Sequence, residues 1–216
     1  MDHADDRPVL AIDLGGTQIR AALVTPDQAV HCRRATDTRD EDGVESVIAR
    51  IAEAAAGVRA EAASAGLSPP IGVGISSPGP LDARRGIVLS PPNLRQWRDV
   101  PLVEALASEL ELPCYLERDT NVAVMAEWRY GAAAGSTDAV YVTVSTGVGG
   151  GIISGGRPLR GAGGLAGEVG HLVVELDGPV CGCGGIGHGE ALAAGAAIER
   201  VARDRLARGV APVQAR

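Results

Sequence analysis

Residues Gly164 to Glu190, GLAGEVGHLVVELDGPVCGCGGIGHGE, place the tightest constraint on what this chain can fold into. Its imidazoles and thiols run His171-x9-Cys181-x1-Cys183-x4-His188. Four soft or borderline donors, separated mainly by glycine, fit tetrahedral Zn²⁺. Glycine accepts positive φ, so such a loop can close tightly on one point. The segment is therefore expected to form a metal knot with His171, Cys181, Cys183 and His188 as ligands. A closed four-ligand site has no open coordination position. Its expected role is support for a function carried elsewhere.

The other two cysteines, Cys32 and Cys114, are isolated. Cysteine use of this kind points to a reducing compartment and metal ligation, not to a disulfide framework. The net charge is −7 and every basic residue is Arg, with no cluster of the kind a nucleic-acid binder presents. The first residues, MDHADDRP, are acidic and polar, unlike a signal peptide. No apolar run approaches membrane-spanning length. The expected setting is the cytoplasm, without nucleic-acid or membrane partners. With no Phe, two Trp and three Tyr, the core must be built from Val, Leu, Ile and Ala.

Periodicity predicts strands at Val9–Leu14, Ile19–Thr25, Ala29–Ala35, Ile71–Ser76, Cys114–Leu116 and Ala139–Ser145. Helical spacing links Val44, Val47, Ile48, Ile51, Ala55 and Val58, with a stop expected near Gly66 ahead of Pro69-Pro70. The Asp40-Glu41-Asp42 carboxylates suit that helix's N-terminus. Further helices are predicted at Leu102–Leu110, Asn121–Tyr130 (capped by Asp119) and Ala191–Leu206. The order implies α/β architecture in two parts, with a boundary near Glu117: residues 1–117, and residues 118–216.

Two glycine turns share one form. Asp13-Leu14-Gly15-Gly16-Thr17 and Ser145-Thr146-Gly147-Val148-Gly149-Gly150 each join strand to strand. Glycines let backbone N–H groups approach a ligand and form an anion nest. Neither is a Walker A loop, which ends in Lys-Ser/Thr, and neither leads into a helix as a dinucleotide fingerprint does. Alone, each is more commonly an ordinary hairpin. Asp13 beside one turn suits Mg²⁺ or its water, and Thr146 in the other suits phosphate. The glycine run is expected to interrupt the strand, which resumes at Ile152-Ile153.

In order, LAIDLGGTQIRAAL, SSPGP, PPNL…W, ERDTNVAVMAEW, STGVGGG, LAGEVGH and CGCGGIGHGE resemble the successive motifs of the ROK family (repressor, ORF, kinase). The likeness runs from about Val9 to about Arg200 and is nearest to the family's bacterial glucokinases. It implies an actin-like, hexokinase-type (ribonuclease H-like) fold of two α/β domains around a cleft. It also implies ATP-dependent phosphorylation of a hexose, glucose first, with mannose, N-acetylmannosamine, fructose and allose within the family's range. ATP is the implied donor, polyphosphate a further one, and a homodimer is compatible. Position by position, Asp119 matches the base that deprotonates the sugar hydroxyl. Gly79, Asn93, Asn121, Glu168, His171 and Glu190 match sugar contacts. Asp13, Gly15, Gly16, Thr17, Thr146 and Gly147 match the ATP phosphate and Mg²⁺ region. His171 then has two faces, one nitrogen on zinc and one toward the sugar.

Two departures from the family pattern stand out. His188 occupies a position where many members carry cysteine, giving His2Cys2 in place of HisCys3. Relatives also continue beyond the helix that follows Glu190, through elements that complete the second domain and the adenosine side of the cleft. The second domain is therefore expected to be incomplete, with an exposed sheet edge and apolar surface. Two alternatives to the kinase follow: a zinc-bearing sugar-binding fragment without turnover, and a sugar-responsive regulator. The regulator is disfavoured because only about eight residues, acidic in character, precede Val9, where DNA-binding members carry a helix-turn-helix.

Overall fold

The computed structural model describes residues 7–210. It divides into two compact units, one running to Val122 and the other starting at Ala123.

The first unit is built on β1 (Val9–Leu14), β2 (Gln18–Val24), β3 (Val30–Asp37), β4 (Val73–Ser77) and β7 (Cys114–Arg118). They form one sheet in the order β3-β2-β1-β4-β7. β1, β2 and β3 pair antiparallel, whereas β4 runs parallel to β1 and β7 parallel to β4. The short strands β5 (Leu81–Asp82) and β6 (Ile87–Val88) form a separate hairpin. Period-two alternation places Leu10, Ile12 and Leu14 of β1, with Ile19, Ala21 and Leu23 of β2, in the core. Helix α1 (Val44–Ser64) lays Val47, Ile51, Ala55, Val58 and Ala62 on that face, a stripe at helical spacing. Helix α2 (Leu102–Leu110) adds Leu102, Leu106 and Leu110.

The stop of α1 is a Schellman turn. Gly66 has φ +74° and the Leu67 amide reaches back to the Ala62 carbonyl. The start differs from expectation. Asp40–Asp42 forms a separate 3-10 turn, and Gly43 intervenes before α1. The Asp40 carboxylate accepts the Arg95 amide at 2.7 Å, and its carbonyl accepts from the Gln96 side chain, also at 2.7 Å. Asp40 thus braces the loop after Pro91-Pro92, while the Asp42 carboxylate pairs with Arg50 of α1.

Helix α3 (Asp119–Tyr130) follows β7 directly and crosses the boundary between the units. Asp119 was expected to cap this helix from outside. It is instead the first helical residue, and its Oδ1 accepts the Thr120 amide at 2.7 Å.

The second unit contains β8 (Ala139–Val144), β9 (Val148–Ser154) and β10 (Arg157–Pro158), in the order β10-β9-β8. A 3-10 turn at Val169–His171 and the helices α4 (Gly189–Ala193) and α5 (Gly195–Ala207) complete it. Edge strand β8 leaves Val140, Val142 and Val144 exposed, as the sequence predicts for an uncovered sheet. Two expectations are corrected. The glycine run does not break the strand: Gly149, Gly150 and Gly151 lie inside β9, paired with Thr143, Val142 and Tyr141. Glycine is required there by packing, since a Cβ on Gly150 would sit 2.8 Å from the Gly167 carbonyl. The closing helix is also broken, because Ala194 is extended (φ −67°, ψ 159°) between α4 and α5.

Trp97 is fully buried in the core of the first unit. Trp97→Ala is expected to cost about 3–5 kcal/mol, read as a lower urea midpoint. Burial pushes the Cys114 thiol from 9.0 up to about 11. The folded chain thus holds that proton longer than the unfolded chain does. The stability this contributes is complete below pH 9 and is lost as pH rises through about 11. Wild type should therefore lose on the order of 2 kcal/mol more than Cys114→Ala over that alkaline range, measured as unfolding midpoints at each pH.

Candidate functional site

The parallel strands of the first unit bring several of the sequence-selected residues to one sheet edge. Register pairs Asp13 with Ser76, and Ser77 with Arg118. Asp13, the Ser77–Pro80 turn and Asp119 therefore all lie at the carboxyl ends of β1, β4 and β7. Open α/β sheets bind ligands at that edge.

The β1–β2 turn is fixed tightly. Gly15 N–H donates to the Gln18 carbonyl at 3.0 Å. Thr38, fully buried, donates its hydroxyl to the Gly15 carbonyl at 2.6 Å, and its amide donates to Thr17 at 2.8 Å. Sequence reading missed Thr38, since no motif marks it; only the β2–β3 pairing brings it to the turn. Asp13 forms an exposed ion pair with Arg20 at 3.0 Å. A Cβ on Gly16 would lie 2.7 Å from Asn93 Cβ, so the turn and the Asn93 loop touch backbone to backbone. That loop is anchored by buried Leu94 and Trp97 on either side of an exposed Arg95-Gln96 pair.

Asp119 is exposed at the start of α3, whereas Thr120 and Asn121 behind it are buried. The Asn121 amide donates to Glu117 at 2.9 Å and its oxygen lies 3.5 Å from the Arg118 guanidinium. Asn121 is therefore engaged within its own unit. Gly79 packs against the Arg118 stem, 3.0 Å from where a Cβ would fall. Glu117 and Arg118, within the ERDTN motif but unassigned from sequence, organise this corner.

In the second unit, Ser145–Gly147 makes the β8–β9 turn, closed by the Ser145 amide on the Gly147 carbonyl at 2.8 Å. Thr146 is exposed at its tip. Glu190, in the first turn of α4, accepts the Val148 amide on Oε2 at 3.0 Å. Its Oε1 lies 3.6 Å from the Cys181 sulfur.

The four expected metal ligands converge. Donor atoms of His171, Cys181, Cys183 and His188 all lie within 4.8 Å of one another. Cys181 Sγ is 3.8 Å from His171 Nδ1, and Cys183 Sγ is 3.2 Å from His188 Nδ1. A sulfur and a nitrogen on one tetrahedral Zn²⁺ stand about 3.6 Å apart, so the donor set fits. Backbone bonds hold this shape: Cys181 N–H donates to Gly185 at 2.7 Å, and Gly184 N–H to Cys181 at 2.9 Å. Gly187 has φ +69°, and a Cβ there would overlap the Glu175 carbonyl. The outer nitrogen of His171, Nε2, lies 3.7 Å from Glu168 Oε2. A carboxylate beyond a ligating imidazole sets the ring's orientation. Burial is the main cause that raises the Cys181 thiol above its ordinary value; a backbone bond from Cys183 opposes it, and the Cys183 side chain and the Glu190 charge add to it. A cation among these donors would offset those charges.

A profile described as the ROK family matches residues 9–211. The glucokinase of Thermotoga maritima is 41% identical over 196 residues, covering 91% of this chain and 60% of that protein. The N-acetylmannosamine kinase of Escherichia fergusonii is 39% identical over 198 residues, covering 92% and 65%. A ROK family glucokinase from Streptomyces griseus, solved in complex with glucose and AMPPNP, aligns with a TM-score of 0.78 at 36% identity. That alignment covers 93% of this chain and 62% of the other. The chain thus spans 60% to 65% of the length of these proteins. Their shared architecture is the actin-like, hexokinase-type α/β fold. With the profile matched along almost its whole length, the chain belongs to the ROK family.

Proposed function

We propose that this chain carries the sugar-binding and phosphate-loop machinery of an ATP-dependent hexose kinase, with glucose as the first candidate acceptor. The observation that carries the reading is the convergence of Asp13, Gly79 and Asp119 at the carboxyl ends of three parallel strands, with Asn93 drawn in by Gly16. The likeness to a glucokinase and an N-acetylmannosamine kinase supports a hexose or N-acetylated hexose.

Asp119 is exposed, and the Thr120 amide fixes one of its oxygens. In the proposed reaction it accepts the proton of the sugar hydroxyl as that oxygen attacks the γ-phosphate of ATP and the bond from phosphorus to the departing ADP oxygen breaks. Phosphoryl transfer asks mainly for positioning and charge neutralisation, with a base in reach of the nucleophile. Asn93, Asn121, Glu168, His171 and Glu190 are the proposed sugar contacts, beside the backbone of Gly79. Gly16 and Thr17 offer backbone amides to phosphate, as do Thr146 and Gly147 from the second turn, with Gly15 shaping the first turn through its own bond to Gln18. Asp13 would hold Mg²⁺ through its carboxylate; one carboxylate plus substrate phosphates and waters is a usual Mg²⁺ environment. Mg²⁺ supplies neutralisation of phosphate charge. Zn²⁺ at His171, Cys181, Cys183 and His188 supplies rigidity.

Asp119→Asn should lower hexose phosphorylation by roughly 10²–10⁴-fold in a coupled assay, with hexose affinity by calorimetry nearly unchanged. Retained turnover would place the base elsewhere. Parallel assays with glucose and N-acetylmannosamine decide the acceptor, and hexose binding without turnover would favour a sugar-binding role for these 216 residues. Elemental analysis should find one zinc per chain. Cys181→Ser with Cys183→Ser should abolish it and weaken hexose binding about 10–100-fold through loss of the His171 orientation. Unchanged metal content would disprove the ligand set.

A further inference from the structure

The knot and the β8–β9 turn are linked by contacts that the proposed roles do not use. Helix α4 begins one residue after the ligand His188, which is its N-cap. One residue further, Glu190 reaches both ways. Oε2 accepts the Val148 amide at 3.0 Å, and Oε1 lies 3.6 Å from the sulfur of the ligand Cys181. The fit on the turn is close, since a Cβ on Gly147 would stand 2.6 Å from the same Oε2. At the other end of α4 the extended Ala194 redirects the chain, and the Gly195 amide donates to the Ser145 carbonyl at 2.8 Å. The carbonyl that enters the turn is held from the start of α5, and the amide that leaves it from α4. The turn itself is closed by the Ser145–Gly147 bond, with Val144 and Val148 paired at its base.

We infer that Glu190 is a positioning residue that transmits metal occupancy of the knot to the Ser145–Val148 turn. This rests on the proposed reading of the knot as a zinc site and the turn as a phosphate loop. Metal binding fixes Cys181 and His188. These fix the start of α4 and the Glu190 carboxylate, which sets the Val148 amide and, through Gly195, the Ser145 carbonyl. The knot would then shape the phosphate side of the site as well as the sugar side.

The test is residue-resolved amide hydrogen exchange on the ¹⁵N-labelled full chain, loaded with Zn²⁺ or stripped with EDTA. Stripping should speed exchange at Val148 and Gly195 roughly tenfold and leave the central β8–β9 ladder within about twofold. Glu190→Ala should speed Val148 by a similar factor while keeping one zinc per chain. Stripping that variant should add little further at Val148. Glu190→Gln retains an acceptor oxygen and should restore slow exchange; together with stripped wild type it decides the matter even where the alanine variant folds poorly. Val148 exchange indifferent to zinc, or a rise shared equally by the whole ladder, would overturn the inference. The kinase reading fails separately: zinc-dependent protection of Val148 in a chain that transfers no phosphate leaves this coupling standing. Phosphate transfer by a chain whose Val148 ignores zinc removes the coupling alone.

Discussion

Parallel pairing of β4 with β1 and of β7 with β4 decides where the chemistry of the first unit can be. Parallel strands end on the same side, so whatever follows each one gathers at a common edge. Here those followers are the Asp13 turn, the Ser77–Pro80 turn and the start of α3. The pairing is held by burial. Leu10, Ile12, Val73, Ile75, Cys114 and Leu116 are all in the core, under α1 and α2. A one-residue slip of β7 would turn Leu116 outward and Glu117 inward. It would also displace Asp119 from the strand end. The strand core and the proposed base are thus specified by the same register.

Close approach of backbones sets the next level of precision. The Asn93 loop lies on the first turn because Gly16 has no side chain, and the Arg118 stem lies on Gly79 for the same reason. Elsewhere short polar contacts fix what steric fit alone would leave loose. Thr38 ties Gly15 and Thr17 with two bonds, and Asp40 ties the loop that carries Leu94 and Trp97. Each is a long-range contact made by a residue that reads as ordinary in sequence. Small polar side chains at strand and helix ends recur in every α/β protein.

That contrast explains which features were legible in advance. Strands β1, β2 and β8, helix α1 and the convergence of His171, Cys181, Cys183 and His188 follow from periodicity and ligand spacing, which are local signals. The continuation of β9 through Gly149–Gly151 did not follow, because the run is glycine-rich for a tertiary reason: another segment crosses Gly150. The break at Ala194 is marked in the sequence only by the Gly195 that follows it, and its tertiary partner is the distant Ser145 carbonyl that accepts the Gly195 amide. The carboxylates of Asp40 and Asp42 suited a helix end by composition. Yet Asp40 found a better donor in the Arg95 amide, and Asp42 paired with Arg50. Local chemistry announces residue types, whereas partners are chosen by tertiary geometry.

Glu190 shows how one side chain can serve two masters without conflict. An ionised carboxylate offers about four lone-pair sites on two oxygens. The Val148 amide uses one site on Oε2, and Oε1 faces the Cys181 sulfur at a distance too long to saturate it. Capacity remains for a hydroxyl ligand while the structural bonds persist. The Cys181 thiol, whose proton burial holds in place, is oriented to donate to Oε1, so the two groups are compatible as they stand. A divalent cation at the four donors would take the two thiols as thiolates and offset their charge beside the carboxylate. A metal's structural contribution and its electrostatic one would therefore act on the same residue.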